Sequence, residues 1–371
     1  MKVRGAVLET IGAQRPYASS RPITVTEVEL DGPGPGEVLV RIEASGVCHS
    51  DLSVVDGNRV RPVPMLLGHE ACGRIVECGS GVEGFKAGQR VVMTFLPRCG
   101  ECAECKTDGR LPCGPGSKSN NAGTLLSKAH RLHRDGVDVH HHLGVSGFAE
   151  YAVVDQHSIV GIDDDVPPDI AAVMGCAVLT GGGAVLNAGR PQAGQSVMVV
   201  GLGGVGLAAL ITAKAVGDGD VIGVDARRDK LETALELGAT AVYTPEEVNA
   251  AEITADVVIE AAGNARAFET AVRSTAAGGI TVTVGLPAPT AEATISPLQL
   301  VAQARTIVGS YLGSAVPSRD IPVFVDLWRQ GKLPVEKLIS SHIDVSEINS
   351  AMDALADGDA LRQIISFPEP A

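Results

Sequence analysis

Positive charge is in short supply in this chain. Thirty lysines and arginines face 44 aspartates and glutamates in 371 residues, a formal net charge of −14. A polyanion such as nucleic acid, or an acidic membrane surface, is therefore not an expected partner. The basic residues are scattered, apart from a short "ARRDK" around Arg228. A run of about 18 apolar residues is also missing, so no membrane span is expected. The opening "MKVRGAVLETIGAQRPY" breaks too soon to serve as the apolar core of a secretory leader. No internal repeat or low-complexity tract is visible. What remains is ordinary globular composition, 45% hydrophobic and 20% charged, at a length that accommodates two domains.

Cysteine is sparse but unevenly placed. Four of the eight lie in "CGECAECKTDGRLPC": Cys99, Cys102, Cys105 and Cys113. The others, Cys48, Cys72, Cys78 and Cys176, are scattered through apolar sequence. A disulfide framework belongs to small secreted domains, which this is not. Reduced thiols and a cytoplasmic location are the expectation. Four thiolates closing on one ion at about 2.3 Å make a tetrahedral structural zinc site. An iron–sulfur cluster also takes four cysteines, but with other spacings. A closed shell of four sulfurs leaves no position for substrate. This metal holds a loop in shape, and any reacting metal is bound elsewhere.

Texture divides the chain. The first part is β-rich, with short apolar runs broken by glycine and proline, such as "EVLVRIEASGV" and "EACGRIVECGSG". The polar segment from about 114 to 142 reads as an extended surface loop. From about 196 short β-branched runs alternate with helical stretches: strand "SVMVV", strand "VIGVD", helix "RDKLETALELGA", strand "ADVVIEAAG", helix "RAFETAVRSTAAGG" and strand "ITVTVGL". That rhythm predicts a doubly wound parallel sheet, an α/β fold. The amphipathic "IPVFVDLWRQGKL" and the strand "LRQIISF" are expected to rejoin the first part. Residues 1–177 and 321–371 then form one domain, and residues 178–320 a dinucleotide-binding module inserted into it.

"GLGGVG", Gly201 to Gly206, follows a strand and opens a helix. Gly201 permits the tight turn, Gly203 lets the backbone approach a pyrophosphate, and Gly206 lets the helix pack close to the strand. The first helical residues, Gly204 and Val205, offer their amides to the phosphates. Asp225 ends the next strand, placed to accept hydrogen bonds from a ribose and to repel a 2′-phosphate. This favours NAD over NADP, a preference that Arg227 and Arg228 could soften.

Two further stretches hold metal-ligand types, "GVCHSDL" and "LLGHEACG", and a third, "MGCAVLTGGG", lies far downstream. Spacing alone does not link them. Taken in order with the four-cysteine lobe and the glycine turn, these motifs resemble the zinc-dependent medium-chain alcohol dehydrogenases, in their longer-loop branch. The resemblance spans nearly the whole chain. It implies a Rossmann sheet inserted into a β-rich GroES-like catalytic domain, two zinc ions per chain and a homodimer. In the dimer, edge strands such as "ITVTVGL" would pair across a two-fold axis. It implies that Cys48, His69 and Cys176 hold a catalytic zinc with an open fourth position, that Asp51 orients His69, and that Glu70 lies beside the metal. Ser50 would begin a proton relay. Its usual terminal histidine is replaced by Ser53, so Ser53 with water, or His49, carries the proton out. His49 and Arg362 match pyrophosphate contacts, Lys230 a ribose contact and Thr180 a contact near the nicotinamide. Phe95, Phe148 and Leu286 match positions lining the substrate and cofactor cleft. The implied reaction is hydride transfer between a primary alkyl, allylic or aryl alcohol, or its aldehyde, and NAD. A thiol-adduct formaldehyde dehydrogenase is an alternative, although Ser117 stands where that branch needs a basic contact. A dismutase that never releases its cofactor, or a non-catalytic nucleotide-sensing relative, are the others. "HHH" at 140–142 is read as loop packing, because adjacent residues on an extended chain point to alternate sides.

Overall fold

In Glu37–Val47 almost every residue is buried, on both faces of the strand. A strand of that kind belongs in the middle of a sheet. In the computed structural model, which describes residues 1–368, it pairs antiparallel with Ala71–Cys78, Tyr151–Asp155 and Gln363–Ser366. Arg90–Met93, Ile159–Gly161 and Ser341–Ile343 complete a seven-stranded sheet. Five further strands, Lys2–Leu8, Ile23–Leu30, Met65–Leu66, Leu132–Arg134 and Val137–His141, close into a barrel.

The segment expected to be an extended surface loop is thus partly regular. It contains the helix Gly114–Ala122 and the last two barrel strands. Leu125, Leu132 and Val139 are fully buried there. The missed signal is "RDGV". Asp135 and Gly136 both take positive φ, 53° and 77°, the turn that joins two twisted strands most tightly. Few long apolar runs were needed, because only alternate residues face the core.

The second sheet has six parallel strands in the order Ala241–Tyr243, Val221–Val224, Val197–Val200, Ala255–Glu260, Thr275–Thr283, Thr306–Gly309. Numbered along the chain within this sheet, that order is 3-2-1-4-5-6, the doubly wound dinucleotide topology. Its glycine turn lies after Val197–Val200, where the order reverses.

The chain separates into two units. One is Met1–Thr107, Pro112–Cys176 and the segment from Ile339 onward; the other is Asp108–Leu111 with Ala177–Leu338. The return to the first unit therefore comes at Ile339, later than the expected residue 321. The helix Pro317–Arg329 turns Ile321, Phe324 and Val325 inward. Phe324, fully buried, fills space that only a glycine at position 182 leaves open. Periodicity shows that this helix has an apolar face, not which body receives it.

Two other expectations are corrected. "ITVTVGL" is not an edge: Thr275–Thr283 lies between Ala255–Glu260 and Thr306–Gly309, and the latter is the edge strand. And the helical stretch Pro168–Gly189, 22 residues with a mean hydropathy of 1.7 over its most apolar window, is long and apolar enough to cross a membrane. Its glycines interrupt the look of an apolar run. In the structure 89% of that window is buried inside the protein, as in a core helix.

Candidate active site

The strand Glu37–Val47 delivers Cys48 directly to the start of the helix His49–Val55. Asp51, one turn into that helix, accepts the Cys48 backbone N–H on Oδ2 at 3.0 Å. His69 lies between Met65–Leu66 and Ala71–Cys78, wholly buried. Its Nδ1 is 3.0 Å from Asp51 Oδ1; with the proton on Nδ1, the neutral ring keeps its lone pair on Nε2. Nε2 is 3.5 Å from Cys176 Sγ. The ligand atoms of Cys48, His69 and Cys176 all lie within 4.8 Å of one another. A tetrahedral zinc with bonds of about 2.0–2.3 Å separates its ligand atoms by roughly 3.3–3.8 Å, so the donor set fits that ion.

Charge is tuned within the cluster. The Cys176 thiol donates to Cys48, which holds the Cys48 sulfur well below the ordinary thiol range and raises Cys176. Burial opposes charge on both Asp51 and His69, but each outweighs it for the other. Asp51 is held low and His69 high. Burial pushes Glu70 up to about 7, against the pull of Arg362. Glu70 Oε1 accepts from Arg362 Nε at 3.0 Å. Glu70 Oε2 and Arg362 Nη2 are buried without hydrogen-bond partners among the described residues. An arginine donor left over in this way suits an anionic group. Glu70 enters only because position 46 is glycine: an added Cβ would collide with its carboxylate. Gly46→Ala is expected to lower stability by about 1–3 kcal/mol, read as a lower midpoint in denaturant unfolding.

Of the remaining candidates, Phe95 meets the His69 ring edge to face, centroids 5.7 Å apart. Ser50 is half-buried beside exposed His49. The Ser53 hydroxyl donates to the His49 carbonyl at 2.8 Å. Phe148 is corrected: it is a core residue, fully buried among Ala6, Leu8, Val47 and Leu67, not a pocket wall. Its ring backs Gly68, whose missing Cβ lets the turn before His69 approach it.

The second cysteine cluster is closed. Cys99, Cys102, Cys105 and Cys113 place four sulfurs within 4.8 Å. Cys99 to Cys105 and Cys102 to Cys113 are each 3.9 Å. All eight cysteines are free thiols. Backbone amides of Cys105 and Gly116 point at Cys102 and Cys113, 3.4 Å away, as expected around thiolates.

In the parallel-sheet unit, Gly201 has φ 93°, and a Cβ there would come within 2.6 Å of the Ala262 amide. A Cβ on Gly206 would collide with the Gly201 carbonyl, whereas one on Gly203 would meet nothing within 4 Å. The open side of the turn is therefore at Gly203, followed by the helix Gly204–Val216, which begins with Gly204 and Val205. Asp225 braces it: Oδ2 accepts the Leu202 N–H at 2.8 Å and Oδ1 the Arg227 N–H at 3.0 Å. Arg227 is paired with Asp229 and Arg228 with Glu247. Lys230 is on the helix Arg228–Glu236, Thr180 is buried on Leu179–Gly183, and Leu286 is half exposed after Thr275–Thr283.

Sequence reading passed over two residues. Glu260, buried at the end of its strand, accepts the Ala262 and Gly263 amides at 2.9 and 2.7 Å and the Thr283 hydroxyl at 2.6 Å. An acid closing a buried apolar strand was the available signal. His142 is the other; its signal was hidden in a triplet.

One chain thus combines a dinucleotide-type sheet, a closed four-sulfur cluster and an incomplete three-ligand cluster. That combination defines a class, the metal-binding dehydrogenases. Residues 34–164 match the family described as alcohol dehydrogenase GroES-like domain, and residues 204–329 that described as zinc-binding dehydrogenase. The chain is 34% identical to the NDMA-dependent alcohol dehydrogenase of Amycolatopsis methanolica, covering 98% of this chain and 99% of that one. Two crystal structures are similar throughout. That of an alcohol dehydrogenase zinc-binding domain protein from Burkholderia ambifaria has a TM-score of 0.92 at 29% identity, with both chains fully covered. That of benzyl alcohol dehydrogenase from Acinetobacter calcoaceticus has a TM-score of 0.90 at 30% identity, covering 99% of this chain and 100% of that one. The chain belongs to the zinc-dependent medium-chain alcohol dehydrogenase family, and it is an oxidoreductase of alcohol dehydrogenase type.

Proposed function

We propose that this enzyme transfers hydride between a primary alcohol or its aldehyde and NAD, at a catalytic zinc held by Cys48, His69 and Cys176, with a second, structural zinc in the four-cysteine lobe. The observation that carries the reading is the contrast between the clusters: four sulfurs close one, while the other offers three ligand atoms and leaves a position for substrate oxygen. Zinc there supplies Lewis acidity that makes an alcohol hydroxyl acidic, and the nicotinamide supplies the hydride acceptor. The chain's own residues do the rest. Asp51 keeps the Nδ1 proton on His69 and so keeps Nε2 available as a ligand. Ser50 Oγ takes the alcohol proton and begins its exit. Asp225 receives the ribose hydroxyls of the cofactor, and the orphaned Nη2 of Arg362 suits an anionic group. Phe95 keeps water from the His69 ring.

NAD rather than NADP is supported by Arg227 and Arg228 being engaged with Asp229 and Glu247. Asp225→Ala should narrow the NAD/NADP ratio of kcat/KM by about 10-fold or more, about what one charge-assisted hydrogen bond contributes; an unchanged ratio would remove the ribose role. The apolar ring beside His69, and the similarity to a benzyl alcohol dehydrogenase, support alkyl, allylic and aryl alcohols. One relative is named as NDMA-dependent, so dependence on added NAD⁺ is the point to test against an enzyme that never releases its cofactor. A panel of primary, secondary, allylic and benzylic alcohols, assayed with and without NAD⁺ and with and without small thiols, tests these together. NAD⁺-dependent aldehyde formation without thiol supports the proposal, and turnover without added NAD⁺ favours the retained-cofactor enzyme. A homodimer would use the edge strand Thr306–Gly309, beside the exposed Leu298 and Val301; sedimentation checks it.

A further inference from the structure

Three consecutive histidines, His140, His141 and His142, go three separate ways. His140 packs against the His130 ring, centroids 5.0 Å apart. His141 is structural. Its Nε2 accepts the Arg131 N–H at 3.1 Å, and burial pushes its pKa down to about 3. His142, 1% exposed, comes to the three-ligand cluster. Its ring meets His69 edge to face, with centroids 5.4 Å apart and planes at 85°. Its Nδ1 is 3.1 Å from Asp51 Oδ1.

That oxygen is unusually crowded. It already accepts from His69 Nδ1 at 3.0 Å and from the Gly68 amide at 3.3 Å. The His142 approach lies off the line of an ideal hydrogen bond, and no other acceptor satisfies its Nδ1. A lone pair aimed at a carboxylate would be repelled, so Nδ1 must carry the proton in the neutral ring. A buried N–H with no other outlet is destabilising unless the carboxylate accepts it. Together with the Cys48 amide on Oδ2, four N–H groups surround Asp51 and leave the carboxylate little freedom to rotate.

We propose that His142 is a positioning residue for the metal centre: it shares Asp51 Oδ1 with His69, and its ring sets the plane in which His69 presents Nε2. This rests on the metal-centre reading above. Without His142 the carboxylate keeps three N–H partners but is held less tightly, and the His69 ring loses the edge that steadies it. The effect is on how firmly the ligand is held.

His142→Phe keeps a planar ring and removes the donor. His142→Asn restores an N–H near the position of Nδ1. The primary readout is the rate at which a chelator removes the zinc that Cys48→Ala lacks. The second is the visible spectrum of Co²⁺ substituted at that site. The Phe variant is expected to lose this metal about 10-fold faster, the low end for an outer-shell partner, and to shift the cobalt bands. The Asn variant should stay within about threefold of wild type. Equal rates in all three proteins would overturn the proposal, as would an Asn variant as fast as the Phe variant, which would assign the effect to packing alone. Should the Phe variant not fold, His142→Leu takes its place in the same comparison. If wild type and Cys48→Ala hold the same metal, the centre itself is misassigned and the inference falls with it.

Discussion

Cys48→Ala should lower alcohol turnover by at least about 10³-fold, the scale of the several kcal/mol that metal Lewis acidity contributes, while the fold persists. Cys48 supplies one of only three ligand atoms in its cluster. With one gone, two protein ligands remain and zinc is poorly held. The loss is local. Cys48 is 4% exposed, and its sulfur is a single atom at the end of a strand whose packing rests on Val38, Val40 and Ile42. The four-cysteine lobe shares no ligand with it and should keep its own ion. Metal analysis should therefore fall from two zinc ions per chain to one, with an unchanged far-ultraviolet spectrum. If mutant and wild type reduce NAD⁺ at equal rates, the site assignment is wrong.

Gly203→Ala should separate cofactor binding from folding. A methyl group there meets no protein atom within 4 Å. The residue already has φ −79° at the start of the helix Gly204–Val216, a conformation that alanine adopts. The structural cost is about 1 kcal/mol, because alanine caps a helix less well than glycine. That empty space is where a pyrophosphate would come against the backbone, so NAD affinity should fall by about 10–100-fold with thermal stability nearly unchanged. Gly206→Ala, where the added carbon collides with the Gly201 carbonyl, should damage stability and binding together. Calorimetric titration of both variants with NAD, beside their unfolding curves, makes the comparison. Undiminished affinity in Gly203→Ala would displace the cofactor from this turn.

Much of the architecture was readable in advance because its signals are local. "GLGGVG" after an apolar strand needs only a few consecutive residues, and each glycine has a steric reason in the structure. The four-cysteine lobe fits within fifteen residues, short enough for spacing alone to define a cage. Local signals also failed where their geometry was overlooked. "RDGV" marked a hairpin inside what reads as a polar loop. Phe148 reads equally as pocket or core in one dimension, and burial among Ala6, Leu8 and Leu67 decides for core.

The sequence by itself determined the ligand types, the glycine turn, the parallel sheet and the closed sulfur cage, because each depends on neighbours a few residues apart. Only the tertiary structure brought Cys176 to His69 across 107 positions, set Arg362 against Glu70, and separated His142 from its two companions. Such meetings depend on sheet register and on which side of a strand a residue faces. A one-residue slip reverses that choice, so no short stretch of chain can encode it alone.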